Sequence, residues 1–138
     1  MKIMFAGKLK PSPHTAFNRR NIVQFAAYVG VILLIIYLAN TGQGAGLFRM
    51  FRRLPHGDKI GHFMLFGILA FMANRALCFK TITVGRFKVL VDSIWVILFA
   101  AVEELSQHYI DTRSLDVYDF LADVAGVWVF ARLSNKRV

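Results

Sequence analysis

The stretch IVQFAAYVGVILLIIYLA, Ile22 to Ala39, is apolar throughout except for Gln24. At 1.5 Å rise per residue, a helix of this length measures about 27 Å, close to the hydrocarbon thickness of a bilayer. The stretch therefore predicts a membrane-spanning helix. No small-residue cleavage site follows it, so it reads as a retained anchor and not as a signal peptide. Three further apolar runs lie downstream. Ile60 to Phe79 carries His62, Asn74 and Arg75 near its two ends, where polar side chains can reach the headgroups. Val89 to Leu105 has Asp92 near its start, with Lys88 one turn away as a partner, and Glu103 and Glu104 near its end. Val117 to Leu133 is interrupted by Asp119 and Asp123, which must face protein or water, since each carboxylate facing lipid would cost roughly 2.5–3.5 kcal/mol. The expected fold is all-α, a polytopic membrane protein built as a bundle of four transmembrane helices.

Composition supports this placement. Hydrophobic residues make up 57% of the 138-residue chain and the mean hydropathy is +0.51, yet the formal net charge is +9. A bilayer reconciles the two, with apolar residues in lipid and bases in flanking loops. The 17 Lys and Arg are scattered between apolar runs and form no basic amphipathic segment, which argues against nucleic acid as a partner. Cys78 is the only cysteine, so the chain has no internal disulfide and no thiolate metal cluster. One domain is expected, residues 22–133, between a basic cytoplasmic segment (1–21) and a basic cytoplasmic tail (134–138).

Orientation follows from the bases. With four spans, both termini share a side with the middle loop. That side would hold Lys2, Lys8, Lys10, Arg19 and Arg20, then Arg75, Lys80, Arg86 and Lys88, then Arg132, Lys136 and Arg137. The other side would hold only Arg49, Arg52, Arg53, Lys59 and Arg113. Both termini are accordingly expected in the cytoplasm. Every acid except Asp92 lies at or near the opposite ends.

Helix geometry gathers those acids. At about 100° per residue, Asp116, Asp119 and Asp123 fall within about 60° of one another, a single stripe. Glu104 and Gln107 share a face at one helix end, and Asp58 and His62 share a face at another. Arg113 adds a cation that can close an ion-pair network or use its planar fork on a phosphate. His62 is equally suited to acid–base work and to a hydrogen bond with Asp58 or with an acid of the third run. Glu104 and Gln107 can serve as interhelical glue. Glu103 is expected to be a neighbour and not a participant, and His108 and Asp111 to be solvated. Asp58, His62, Glu104, Asp116 and Asp119 offer an imidazole and several oxygens suited to Mg or Mn, but their spacing matches no established metal motif, so no metal ligand and no cofactor is assigned. Ser106 and Ser114 sit in no recognisable nucleophile elbow. Small-residue pairs, Ala26 with Gly30 and Ala122 with Gly126, predict close helix contacts. Between the first two runs, Leu47, Met50, Phe51 and Leu54 alternate with Arg49, Arg52 and Arg53 at helical spacing, which predicts a short interfacial helix.

The polar residues also resemble a known family. Asp58-Lys59-Ile60-Gly61-His62-Phe63 with Phe66, then Glu104-Leu-Ser-Gln107-His-Tyr109, then Arg113-Ser-Leu-Asp116-Val-Tyr-Asp119, then Asp123 and Gly126, resemble the signature of the VanZ-like family, small bacterial membrane proteins named for a glycopeptide (teicoplanin) resistance determinant. The resemblance runs from about Leu54 to Phe130. It departs at Asp123, where the family pattern has Asn. It implies a multi-pass protein of the bacterial inner membrane, with a link to antibiotic resistance.

Together these readings predict an outward-facing polar pocket made by Asp58, Lys59, His62, Glu104, Gln107, Arg113, Asp116, Asp119 and Asp123. Its ligand would be a lipid headgroup, a cell-wall precursor or a glycopeptide. Two rivals stay open. One is a membrane-embedded enzyme acting on a lipid-linked phosphate or amide, with His62, Glu104 and Arg113 as its candidate catalytic residues. The other is a small-solute or proton pathway along Asp119 and Asp123.

Overall fold

The computed structural model describes residues 18–77, 81–111 and 113–135. Cys78, Lys80, the basic residues before Asn18 and those after Asn135 lie outside these, as does the side chain of Lys88. The chain is mostly helical. Helix α1 spans Arg19–Thr41, α2 Ala45–Arg52, α3 Gly57–Ala76, α4 Val91–Gln107 and α5 Val117–Asn135. Asn18 caps α1, its Oδ1 accepting the Arg20 amide at 2.9 Å, and Gly42 ends it in the left-handed conformation at φ 72°. Among the described residues, α1 is the one helix long and apolar enough to cross a membrane by length and composition.

α3 is the centre of the fold. α5 packs along its length, α4 against both, α1 against its other flank, and the short α2 folds across the α1–α3 end. The α3–α5 approach is close because Gly126 lies against the Phe63 backbone, where a Cβ would overlap the carbonyl oxygen, and because Gly67 faces Phe130. The Ala122–Gly126 pair thus contributes a helix contact as expected. The Ala26–Gly30 pair does not, since nothing lies near Gly30. α1 instead packs through Phe25, Tyr28, Val29, Ile32 and Ile36, whose larger side chains reach the core, and the Tyr28 hydroxyl donates to the Leu65 carbonyl at 3.1 Å.

Two boundaries differ from expectation for one reason. The run beginning at Val89 starts as a strand, because Thr81–Val84 (β1) and Phe87–Leu90 (β2) form an antiparallel hairpin, Val84 opposite Phe87, closed by Gly85 at φ 60°. The β-branched run Thr81-Ile-Thr-Val84 followed by a glycine favours this over a helical or irregular loop. α4 consequently starts at Val91, and α3 ends at Ala76 and not at Phe79. The short helix expected at 47–54 is present as α2, two residues earlier.

Polar and charged side chains share the interior with the apolar core, and large apolar ones face outward. Asn74, Asp92, Ser93, Glu103, Glu104, Gln107, Asp119, Asp123 and Ser134 are buried, while Trp95, Leu98, Val102 and Leu105 of α4 and Leu121, Trp128 and Leu133 of α5 face outward.

Candidate functional site

Nearly all the buried charge sits at one end of the bundle, where α3 begins, α4 ends and α5 begins. α5 starts there because Asp116 caps it. Its backbone carbonyl accepts the Asp119 amide and its Oδ1 accepts the Tyr118 amide at 2.8 Å. The next turns of α5 carry Asp119 and Asp123 toward α3. From α3, Lys59 reaches back across the gap, its Nζ donating to Asp58 Oδ2 at 3.3 Å, Asp116 Oδ2 at 3.1 Å and Asp119 Oδ1 at 3.1 Å. The Tyr118 amide, and then Lys59, hold the Asp116 carboxyl below its ordinary range. Three carboxylates share one amine.

One turn further along α3, His62 faces α5. Its Nδ1 lies 3.0 Å from Asp123 Oδ1 and its Nε2 3.8 Å from Asp119 Oδ2, and the ring stacks on Phe66 at 6.3 Å between centroids. The expected partners of His62, Asp58 or an acid of α4, are not the ones it takes. Asp58 begins the helix a turn away and is drawn to Lys59, whereas Asp123 comes from the element packed tightest against α3.

α4 contributes through its last turn. Glu104 Oε1 accepts the Asp116 backbone amide at 2.6 Å, tying α4 to the start of α5, and Gln107 Nε2 donates to Glu104 at 3.0 Å. Glu103 is a full participant and not a bystander. It is 6% exposed, accepts from Gln107 at 2.9 Å, and forms an ion pair with Arg113 at 2.7 Å. Its spacing to Gln107, one helical turn, carried that signal. Asn40, at the end of α1, is the second residue that sequence reasoning missed, and it accepts from Arg113 at 3.0 Å. The polar position closing an apolar run was the only hint.

All nine residues expected to line a pocket lie at this one end, together with Glu103 and Asn40, but of the nine only Asp58, His62, Gln107, Arg113 and Asp119 border the adjoining cavity, and Lys59, Glu104, Asp116 and Asp123 do not. His108 and Asp111 are exposed, as expected of solvated loop residues. Beside the cluster, α1, α2 and α3 enclose a cavity of about 690 Å³. Ile32, Ile36, Phe48, Phe51 and Leu65 give it an apolar wall, and Asp58, His62, Glu103, Gln107, Arg113 and Asp119 give it a polar end. Such a space can take a molecule with an apolar body and a polar tip.

Comparison with known proteins gives one relationship. No curated protein and no solved structure matches the chain. The family model described as VanZ/LLP1 matches residues 5–134, nearly the whole length, and includes every residue of the cluster. The chain belongs to the VanZ/LLP1 family.

Proposed function

We propose that this VanZ-family protein is a multi-pass protein of the bacterial inner membrane that holds the polar headgroup of a membrane lipid or lipid-linked cell-wall precursor at the outer end of its bundle. The observation that carries the reading is the cavity, in which apolar side chains of α1 and α3 lead directly to the carboxylate, imidazole and guanidinium groups. A lipid tail would lie along the former and its headgroup among the latter. The relation of the family's name to glycopeptide resistance fits this chemistry, because those antibiotics act on lipid-linked cell-wall material.

The same reading gives the chain four spans, α1, α3, α4 and α5, with both termini cytoplasmic. The outward Trp95, Leu98, Val102 and Leu105 stripe of α4 and the outward apolar residues of α5 would meet lipid, and the acids of α5 face the other helices. Lys and Arg then collect on the cytoplasmic side. The apolar residues of α2 would rest on the outer leaflet. Reporter fusions place this directly. A fusion after Val138 should report the cytoplasm and one between Ile110 and Arg113 the exterior, and the reverse result would reject the topology.

Binding is tested by native mass spectrometry of the full chain purified in mild detergent. Lipid with an anionic or glycosylated headgroup should be retained at one copy per chain, and Leu65→Trp, which fills the apolar wall without touching the polar end, should release it. Retention of no lipid, or equal retention by Leu65→Trp, rejects the reading. The His62–Asp123 pair favours a second one, acid–base catalysis on the bound headgroup, and turnover of a lipid-linked phosphate that disappears in His62→Ala would replace simple binding with it.

A further inference from the structure

The polar end carries more negative charge than its cations balance. Glu103 has Arg113, and Asp58, Asp116 and Asp119 share Lys59, whose amine sits among the three oxygens much as a bound cation would. Glu104 and Asp123 remain, both buried, with only His62 beside them. Asp123 is an independent sign of a missing charge. It is 0% exposed, and its Oδ2 has no hydrogen-bond partner among the described residues. Burying so much like charge is costly unless something positive enters.

The geometry points to what enters: we infer that His62, Glu104 and Asp119 hold a divalent transition-metal ion of the Mn²⁺ class. One ligand atom from each lies within 4.8 Å of the others. Asp123 occupies His62 Nδ1 and so turns Nε2 toward Asp119, the carboxylate–histidine arrangement that orients imidazole ligands on metals. The 3.8 Å between Nε2 and Asp119 Oδ2 is too long for a hydrogen bond. It lies between the roughly 3 Å that separates adjacent ligands and the roughly 4.2 Å that separates opposite ones around an ion bound at about 2.1 Å. The side chains are held in place by their other contacts. Asp119 Oδ1 accepts from Lys59, leaving Oδ2 for the ion, while Glu104 accepts from the Asp116 amide at Oε1 and from Gln107 at Oε2, so its contact with the ion would use a second lone pair of one of these oxygens. One nitrogen with two carboxylate oxygens suits Mn²⁺ better than a thiolate-seeking metal or a purely oxygen-bound Ca²⁺. Three protein ligands leave positions free, and His62 and Asp119 both border the cavity, so an oxygen of a bound headgroup can complete the shell. An anionic headgroup would then meet a metal ion in an otherwise acidic site. Metal binding itself does not depend on any lipid, so failure to retain lipid and failure to bind metal are separate results.

The test uses Mn²⁺ alone on the full chain in detergent micelles, read by electron paramagnetic resonance. One Mn²⁺ per chain is expected, with a pulsed-resonance modulation from a single imidazole nitrogen. The nitrogen coupling should persist in the His14→Ala/His56→Ala/His108→Ala triple variant, which leaves His62 as the one histidine of the sequence, and vanish in His62→Gln. Asp123→Asn should weaken affinity about 10–100-fold while the coupling remains. Should His62→Gln fail to fold, the unsubstituted chain and the triple variant still decide. Absence of bound Mn²⁺, binding without nitrogen coupling, or coupling lost in the triple variant would overturn the assignment.

Discussion

The bundle has a polar cluster at each end, built from the same three helices, and the two differ in kind. At the end of α3 and α5 and the start of α4, Asn74 Nδ2 donates to Ser134 Oγ at 3.2 Å and Asn74 Oδ1 accepts from Ser93 Oγ at 3.4 Å, a buried amide–hydroxyl network beside a single buried carboxylate, Asp92. At the opposite end six carboxylates, a lysine, an arginine and a histidine crowd beside a cavity. One carboxylate among amides and hydroxyls accompanies the contact of three helices at the first end. Six carboxylates are far more than such a contact calls for, and the excess supports the proposal of a ligand at the second.

The sharpest way to break this contrast is to remove one cation. Arg113→Ala would leave Glu103 buried and unpaired, and such losses cost about 3–5 kcal/mol. Thermal unfolding in detergent should show the largest drop of any variant here, partly recovered by adding Glu103→Gln, which removes the orphaned charge. A drop no larger than that of Asn74→Ala at the other end would mean that Arg113 does not hold this charge. Next in size is Gly126→Val, where the branched side chain meets the Phe63 backbone midway between the clusters. Overpacking of that kind costs about 1–3 kcal/mol, whereas Gly30→Val, facing open space, should leave unfolding unchanged. Asn74→Ala should cost less still, on the order of 0.6–1.7 kcal/mol, and should leave lipid retention and Mn²⁺ binding as they were. If it abolished either, the two ends would not be separate in function.

Much of this contrast was legible in the sequence, and what was not has physical causes. Helical periodicity placed Asp116, Asp119 and Asp123 on one stripe and paired Glu104 with Gln107, because those relations are local. It could not say which helix each stripe meets. His62 therefore had Asp58 and the acids of the third run as its expected partners and takes instead Asp123, 61 residues away, because glycines let α3 and α5 approach. Glu103 and Glu104, adjacent in sequence, point about 100° apart, which suggests that only one can face the site. Both do, since α4 ends wedged against the loop to α5, so that Glu104 meets the Asp116 amide while Glu103 meets Arg113. The hairpin at 81–90 has a local signal in the β-branched run Thr81-Ile-Thr-Val84 before Gly85, which a count of bases in the same loop does not carry. Asn40 met Arg113 across 73 residues, a pairing that no local pattern encodes.

The smallest effect expected is a shift with acid, and its sign follows from Asp116. This carboxyl is held below its ordinary value of 3.8, first by the Tyr118 amide and then by Lys59. A group whose folded-state value is depressed contributes stability that is present above the unfolded value and lost as pH falls through the folded one. Unfolding temperature should therefore begin to decline as pH approaches about 4 and continue to decline below it. Asp116→Asn separates the two causes, because the asparagine oxygen can still accept the Tyr118 amide and cap α5, while the ionic contact with Lys59 is gone. The variant should keep its helix, lose part of the acid-dependent decline, and show less salt sensitivity than the parent, since the pair is partly exposed and screened. An unchanged decline would mean that Lys59 is neutralised by Asp58 and Asp119 alone, and Asp116 would then be a helix cap that happens to stand beside the site.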